Sequence, residues 1–338
     1  MAWRADIARD KNTILIQRRT VYTTIASYTG IRGNHLMTRQ QASMPEKKTI
    51  QDHLKALGGA ALIVGLTLLL LELALFLLDP WDMRYFNDLA KMGNEIFTVD
   101  AERGYIMPDA HYEFSHWEAT IAAGQRVLPD TNPDAACTLA ILGDSVGFGY
   151  GVNDAEAWVN RLAKQFQNVH FVNLSMPRYN STNSLLSYQT CPDADAYLYV
   201  IINNDLEDAL DMTTMEFTGS GEAYPFLVRY ANYAMFRGGG TAYVRPDDPD
   251  SRVADTPQSR RFFAELDSLL EDERVYLAAF ELEPLTNTLV ERGYDVAVLA
   301  YPPDRISVTD YHLNPQGNAT LAAHFLPVIE RIIEERCG

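Results

Sequence analysis

From residue 137 to the C-terminus, short apolar runs alternate with amphipathic stretches. The runs at 137–142, 169–174, 196–202, 275–280 and 295–300 have the length and composition of buried strands. Between and after them, 155–166, 181–189, 258–271, 283–292 and 315–335 carry apolar residues at helical spacing. Repeated strand–helix units predict a parallel sheet covered by helices on both faces. Right-handed crossovers then give a flavodoxin-like, three-layer α/β/α arrangement of about five strands in the order 2-1-3-4-5. An aromatic-rich insertion at 206–257 breaks the rhythm. There Phe226, Tyr230 and Tyr233 recur at helical spacing, a packing stripe in the ordinary case and otherwise an aromatic wall for sugar rings or acyl chains. Residues 79–136 form a lead-in whose strands and turns the pattern does not place.

A different pattern occupies 58–78, an almost unbroken apolar run. About 20 such residues cross the hydrocarbon core of a bilayer as a helix. Arg39, Lys47, Lys48 and Lys55 precede the run, and Asp79, Asp82, Arg84 and Asp88 follow it. The positive-inside rule leaves the N-terminus in the cytoplasm and exports everything after residue 78, to the periplasm in a bacterial cell. No small-residue cleavage pattern follows, so 57–78 reads as an uncleaved, single-pass signal anchor. Glu72 is the one polar flaw in the run. Intramembrane carboxylates often mark a partner contact, but with Asp79 seven residues away the milder expectation is a side chain that snorkels to the interface or is protonated. Residues 1–56 form a basic cytoplasmic arm. Its first 43 residues read either as disordered or as sequence upstream of the true start.

The chain of 338 residues has a formal charge of −17, divided unevenly: residues 1–56 carry a net +6 and the remainder a net −23. An exported body this acidic repels phosphate backbones, which argues against a nucleic-acid partner. Cys137, Cys191 and Cys337 have no Cys-x-x-Cys or His-rich spacing, so neither a metal site nor any other cofactor is expected. All three fall at the amino edge of the predicted sheet. There a Cys137–Cys191 disulfide is conceivable, because the first and third strands are neighbours.

Candidate chemistry gathers at the opposite, carboxyl edge, where open α/β sheets bind ligands. The 137–142 run stops at Gly143-Asp144-Ser145, and glycines follow at 147, 149 and 151. A serine so placed is exposed at the strand end, as a nucleophile or as part of a Gly/Ser turn. A nucleophilic serine needs a base. His35 and His53 precede the membrane run, His111 and His116 lie in the lead-in, His170 begins a strand and His324 sits inside the last helix. His312 follows the last strand, with Asp310 two residues before it. Asn203-Asn204-Asp205 ends the third strand, where an amide can donate to a developing oxyanion. Asn173 to Arg178 follows the second strand, with backbone N–H groups for the same pocket.

This ordered set resembles the SGNH (GDSL-like) hydrolase superfamily over roughly 100–335. Its first motif matches Gly143-Asp144-Ser145, its third Asn204-Asp205 and its last Asp310-Tyr311-His312-Leu313-Asn314. The resemblance implies a nucleophile at Ser145, a general base at His312 and an orienting carboxylate at Asp310. It also implies an oxyanion hole from the Ser145 and Arg178 N–H groups and the Asn204 side chain. Asp144, Asp205 and Tyr230 are the candidates for the substrate pocket. Two positions depart from the family pattern. Arg178 stands where a glycine is usual, with Ser175 the other small candidate, and a left-handed backbone there would strain an arginine. Thr309 stands where the aspartate often lies.

The expected function is a membrane-anchored, extracytoplasmic serine esterase acting on a small-molecule or glycan acyl ester, with O-acyl groups of envelope carbohydrate as the substrate that the family's habits suggest. The alternatives are an O-acyltransferase using the same acyl-enzyme, and a catalytically silent envelope scaffold held by the anchor and a membrane partner near Glu72.

Overall fold

The computed structural model describes residues 49–80, 88, 91–207, 225–228, 230–231, 252–281, 283–306 and 310–338. The first 48 residues of the basic arm, Tyr233 and Thr309 lie outside the described residues.

The apolar run is helical. Helix α1 spans Ile50–Leu78 and is long and apolar enough to cross a membrane, with its leucines, Leu75 apart, exposed rather than packed in the protein. A two-stranded ribbon follows, β1 (Thr98–Asp100) with β2 (Gly104–Ile106). Then come β3 (Ala110–Glu113), β4 (Glu118–Ala122), the two-residue β5 (Gln125–Arg126) and β6 (Cys137–Gly143). The short helix α2 (Ser145–Phe148) leads to α3 (Trp158–Gln165), β7 (Val169–Asn173), α4 (Ser181–Gln189) and β8 (Ala196–Ile201). After the insertion the chain resumes with α5 (Pro257–Leu269), β9 (Val275–Phe280), α6 (Pro284–Glu291), β10 (Val296–Leu299) and α7 (Pro315–Arg336).

The five strands β6 to β10 are parallel and stand in the order β7-β6-β8-β9-β10, the 2-1-3-4-5 order expected from the crossovers. Beyond β7 the sheet gains three antiparallel strands, β5, β4 and β3, so it has eight strands in all. These come from the lead-in. They escape the periodicity argument because β5 has two residues and β3 buries no side chain.

Alternation along β6 sends Leu139 and Ile141 to one face and Ala140 and Leu142 to the other. The first face packs on α3 and α7 through Trp158, Leu162, Phe325 and Ile329; the second packs on α5 and α6 through Phe262, Leu266, Leu285 and Leu289. A third cluster joins the lead-in to the loops after β6 and β7, with Tyr105, Met107, Trp117 and Ile121 against Phe148, Tyr150, Met176 and Tyr179. The lead-in is therefore the outer wall of the loops that carry the site.

The same alternation corrects the expected disulfide. Cys137 bonds to Cys337, with Cα atoms 5.5 Å apart, and Cys191 keeps a free thiol. Cys137 follows the register of Leu139 and Ile141, on the α7 side, and Cys337 caps α7 and packs on that face. Cys191 packs with the opposite face. Strand adjacency suggested the Cys137–Cys191 pairing, but side-chain direction decides. A bridge across 200 residues of chain restricts the unfolded state strongly. Cys337→Ser is expected to cost about 2–5 kcal/mol, read as an earlier urea midpoint of the full chain in detergent. An unchanged midpoint would contradict the linkage.

Candidate active site

Strand β6 ends at Gly143, and the chain turns at once into α2 with Ser145 as its first residue. Asp144 caps this turn, its Oδ1 accepting from the Val146 N–H at 2.9 Å. Two glycines make the turn possible. At Gly147 a Cβ would stand 2.4 Å from Ser175 Oγ, so only glycine lets the loop after β7 come this close. Gly149 ends α2 with a φ of 80°, a conformation that glycine adopts without strain.

The carbonyls of this turn are held from outside by buried side chains. Trp158 Nε1 donates to Val146 O at 2.9 Å and Asn173 Nδ2 to Gly147 O at 3.1 Å. Arg126 Nη1 donates to Phe148 O at 2.8 Å and Gly149 O at 2.5 Å, and Nη2 to Val152 O at 2.5 Å. Its Nε pairs with Asp154 at 2.9 Å, and its guanidinium lies 4.8 Å from the Phe148 ring. Hydrogen bonds to three carbonyls and one carboxylate meet the desolvation cost of a fully buried cation. In return the cation fixes the backbone that aims Ser145.

His312 comes from the loop between β10 and α7. Its Nε2 is 2.8 Å from Ser145 Oγ, and its Nδ1 is 2.6 Å from Asp310 Oδ1. Asp310 Oδ1 also accepts from the His312 backbone N–H at 2.9 Å. These partners assign the tautomer: Nδ1–H donates to Asp310 and Nε2 is left to accept the serine proton. The ring is held between Tyr150 and Tyr311, with centroids 4.4 and 4.5 Å away. Ser145, His312 and Asp310 thus form one hydrogen-bonded chain.

Burial pulls the His312 imidazole toward lower pKa, but the charge and hydrogen bond of Asp310, helped by Asp144, outweigh it and the net shift is upward from 6.5. Burial likewise pushes the Asp310 carboxyl up, and His312 with Arg305 overcomes that and holds it below the usual range. A base must be neutral to take a proton. The kcat/KM of ester turnover should therefore rise with pH through a midpoint above the ordinary histidine value and then level off. Asp310→Asn removes the charge that retains the proton and leaves the burial, so the midpoint should move down. The rate should also fall roughly 10³- to 10⁴-fold. A midpoint that Asp310→Asn does not move would contradict the assignment.

The oxyanion candidates lie on the same edge. As the first residue of α2, Ser145 has an N–H with no intrahelical acceptor. Asn204 follows β8 on a short 3-10 turn, and its Nδ2 donates to Asp144 Oδ2 at 2.9 Å. That same oxygen lies 3.0 Å from Ser145 Oγ, so one carboxylate oxygen holds the nucleophile and the amide together. Arg178 adopts a φ of 68°, the left-handed backbone that its glycine-like position called for. This costs a non-glycine residue roughly 1–3 kcal/mol, and such strain concentrates at functional sites. Among the described residues, no three His, Cys, Asp or Glu side chains gather in a way that could hold a metal ion.

No family model matches the chain, and no curated relative does. The chain is similar to solved structures of GDSL-type esterases. A psychrotrophic esterase from Pseudoalteromonas sp. aligns at 13% identity and a TM-score of 0.37, over 58% of this chain and 98% of that one. A member of the lipolytic G-D-S-L family from Veillonella parvula aligns at 13% identity and 0.33, over 58% and 100%. A family two carbohydrate esterase from Cellvibrio japonicus aligns at 14% and 0.30, over 62% and 65%. The fold and the site stand on the chain's own strand order and hydrogen bonds.

Three pocket candidates are placed elsewhere than expected. Asp144 is fully buried under Ser145 as the cap of its turn rather than on a pocket wall. Asp205 is also fully buried, accepting from the Ile202 N–H at 2.7 Å and the Tyr199 hydroxyl at 2.6 Å. Strand-end carboxylates turn inward here because unpaired N–H groups of the tight turns need acceptors. Burial pushes the pKa of both upward. Tyr230 is not at the site: its hydroxyl donates to Asp79 at 2.9 Å, at the end of α1. Conversely, Arg126, Trp158, Tyr150 and Tyr311 all support the site and had no role assigned from the sequence, and Asn173 supports it through its side chain rather than its backbone. Tyr311 sits inside the last motif and Tyr150 five residues after the first, which is a usable signal. Arg126, a single cation in an unpatterned lead-in, gave none.

Proposed function

We propose that the chain is a membrane-anchored, extracytoplasmic serine hydrolase that cleaves acyl esters, with O-acylated envelope carbohydrate as its substrate. The observation that carries this reading is the 2.8 Å contact of Ser145 Oγ with a His312 whose other nitrogen is held by Asp310 at 2.6 Å. In the reaction Ser145 Oγ adds to the acyl carbonyl while its proton passes to His312 Nε2. The oxyanion is met by the Ser145 and Arg178 N–H groups and Asn204 Nδ2. Collapse expels the sugar oxygen, which takes the proton from Nε2 and leaves as the alcohol. Water then adds to the acyl-serine, with His312 as base again, and releases the carboxylic acid and free Ser145. An exported location is supported by the Cys137–Cys337 disulfide, a bond at home in oxidising compartments. It is also supported by the basic flank before α1 and the acidic body after it.

Purified full chain in detergent, given an acetylated polysaccharide, should release acetate, and Ser145→Ala should not. Acetyl transfer to added glycan in place of release would establish the acyltransferase alternative. Absence of both, with short acyl esters also untouched, would remove the enzyme reading.

A further inference from the structure

Glu72, the flaw in the apolar run, finds its partner within the chain. Its Oε1 accepts from the Phe226 N–H and its Oε2 from the Leu227 N–H, both at 2.7 Å. Phe226 meets the Phe76 ring edge-on at 5.5 Å, and Leu75 packs on Phe226 and Tyr230. The Tyr230 hydroxyl then reaches Asp79. Phe226 and Tyr230 of the aromatic stripe are thus packing, and what they pack on is the C-terminal end of α1.

The depth of these contacts decides what surrounds them. Charged residues begin at Asp79, and Glu72 lies seven residues earlier, about 10 Å down the helix axis. Half the hydrocarbon core is about 15 Å thick. Side chains on a helix lean toward its N-terminus, here away from the exported face, so Glu72 is poorly directed to snorkel outward. The chain instead brings donors down to it. The first N–H groups of a helical turn have no internal acceptor, and hydrocarbon offers them none. Glu72 takes two of them and places its carboxylate at the turn's positive end. Pro225, Val228 and Ala231, the exposed described residues of this stretch, are all apolar.

Resting on the reading of α1 as a membrane span, we propose that residues 225–228 with 230–231 belong to a second membrane segment, seated in the exported leaflet and capped by Glu72. Its partner is the lipid at the acyl–headgroup boundary. The insertion that contains it leaves the hydrolase body just after Asn204 and Asp205, so the segment ties the rim of the site to the bilayer surface.

The test uses the full chain with Cys191→Ser, reconstituted in phosphatidylcholine–phosphatidylglycerol vesicles. An environment-sensitive fluorophore is attached at Val228→Cys, at Leu68→Cys within α1, or at Glu330→Cys on exposed α7. Quenching is read with nitroxide-labelled lipid and with iodide. The probes at 68 and 228 should both be quenched by the lipid label, with iodide quenching several-fold weaker than at 330. Iodide quenching at 228 equal to that at 330, with 68 still lipid-quenched, would overturn the second segment and leave the span intact. Iodide quenching at 68 would overturn the span and the inference with it. Glu72→Leu should move the 228 probe to the iodide class; if that probe stays lipid-quenched, Glu72 is not the cap.

Discussion

Replacing Ser145 with alanine is expected to lower kcat for ester turnover by roughly 10⁴-fold or more while the fold persists. The serine hydroxyl is the only atom removed, and it sits where β6 ends, 2.8 Å from His312 Nε2 and 3.0 Å from Asp144 Oδ2. Asp144 keeps the Val146 N–H and the Asn204 amide as donors, and His312 keeps Asp310, so no buried charge is stranded. The stability cost should be about 1 kcal/mol, that of an ordinary hydrogen bond. His312→Ala should be about as damaging to kcat. The double variant should be no worse than the worse single one, because the two residues act as a unit. Additive losses in steady-state kinetics would mean that the two side chains do not serve one proton transfer.

Arg126→Met should have the largest effect on stability, about 3–5 kcal/mol, because it breaks a buried ion pair from one side. It leaves Asp154 without its cation and the carbonyls of Phe148, Gly149 and Val152 without their donors. The α2 turn then loses its external clamp, and kcat should fall more than KM rises, since Ser145 is mis-aimed while the rest of the site stands. Arg126→Lys should rescue little, as an ammonium cannot reach three carbonyls and a carboxylate in the geometry of the guanidinium fork. Urea unfolding and steady-state kinetics of the same preparations check both parts. Wild-type stability in Arg126→Met would refute the clamp.

The five-strand parallel order was readable because each of those strands is a near-continuous apolar run, and crossover handedness leaves few ways to connect them. Strand β8 buries all six of its residues and β9 all six of its own. The lead-in was not readable, since β3 buries none of its four residues and Arg126 pairs with Asn173 through a two-residue strand. At the site, the positions of Ser145, His312 and Asp310 follow from chain order and sheet polarity. What those rules do not supply is the direction of side chains. Asp144 and Asp205 turn inward to satisfy backbone donors, Tyr230 turns to α1, and Cys137 turns to α7 rather than toward Cys191. Tyr230 and Cys137 are set by contacts across long separations, which a local pattern does not encode, whereas Asp144 and Asp205 answer backbone donors only two and three residues away. Arg178 is the opposite case. Its place in the motif order anticipated the left-handed backbone found there, and local steric rules identify arginine as a strained occupant.

The central claim is that Ser145 is a nucleophile activated by His312. Treatment of the full chain in detergent with a fluorophosphonate, followed by mass mapping of the peptides, tests it most directly. One adduct per chain on Ser145, with labelling slowed severely in His312→Ala and absent in Ser145→Ala, is the predicted result. Folded chain that takes up no probe, or an adduct that persists in Ser145→Ala, would contradict it.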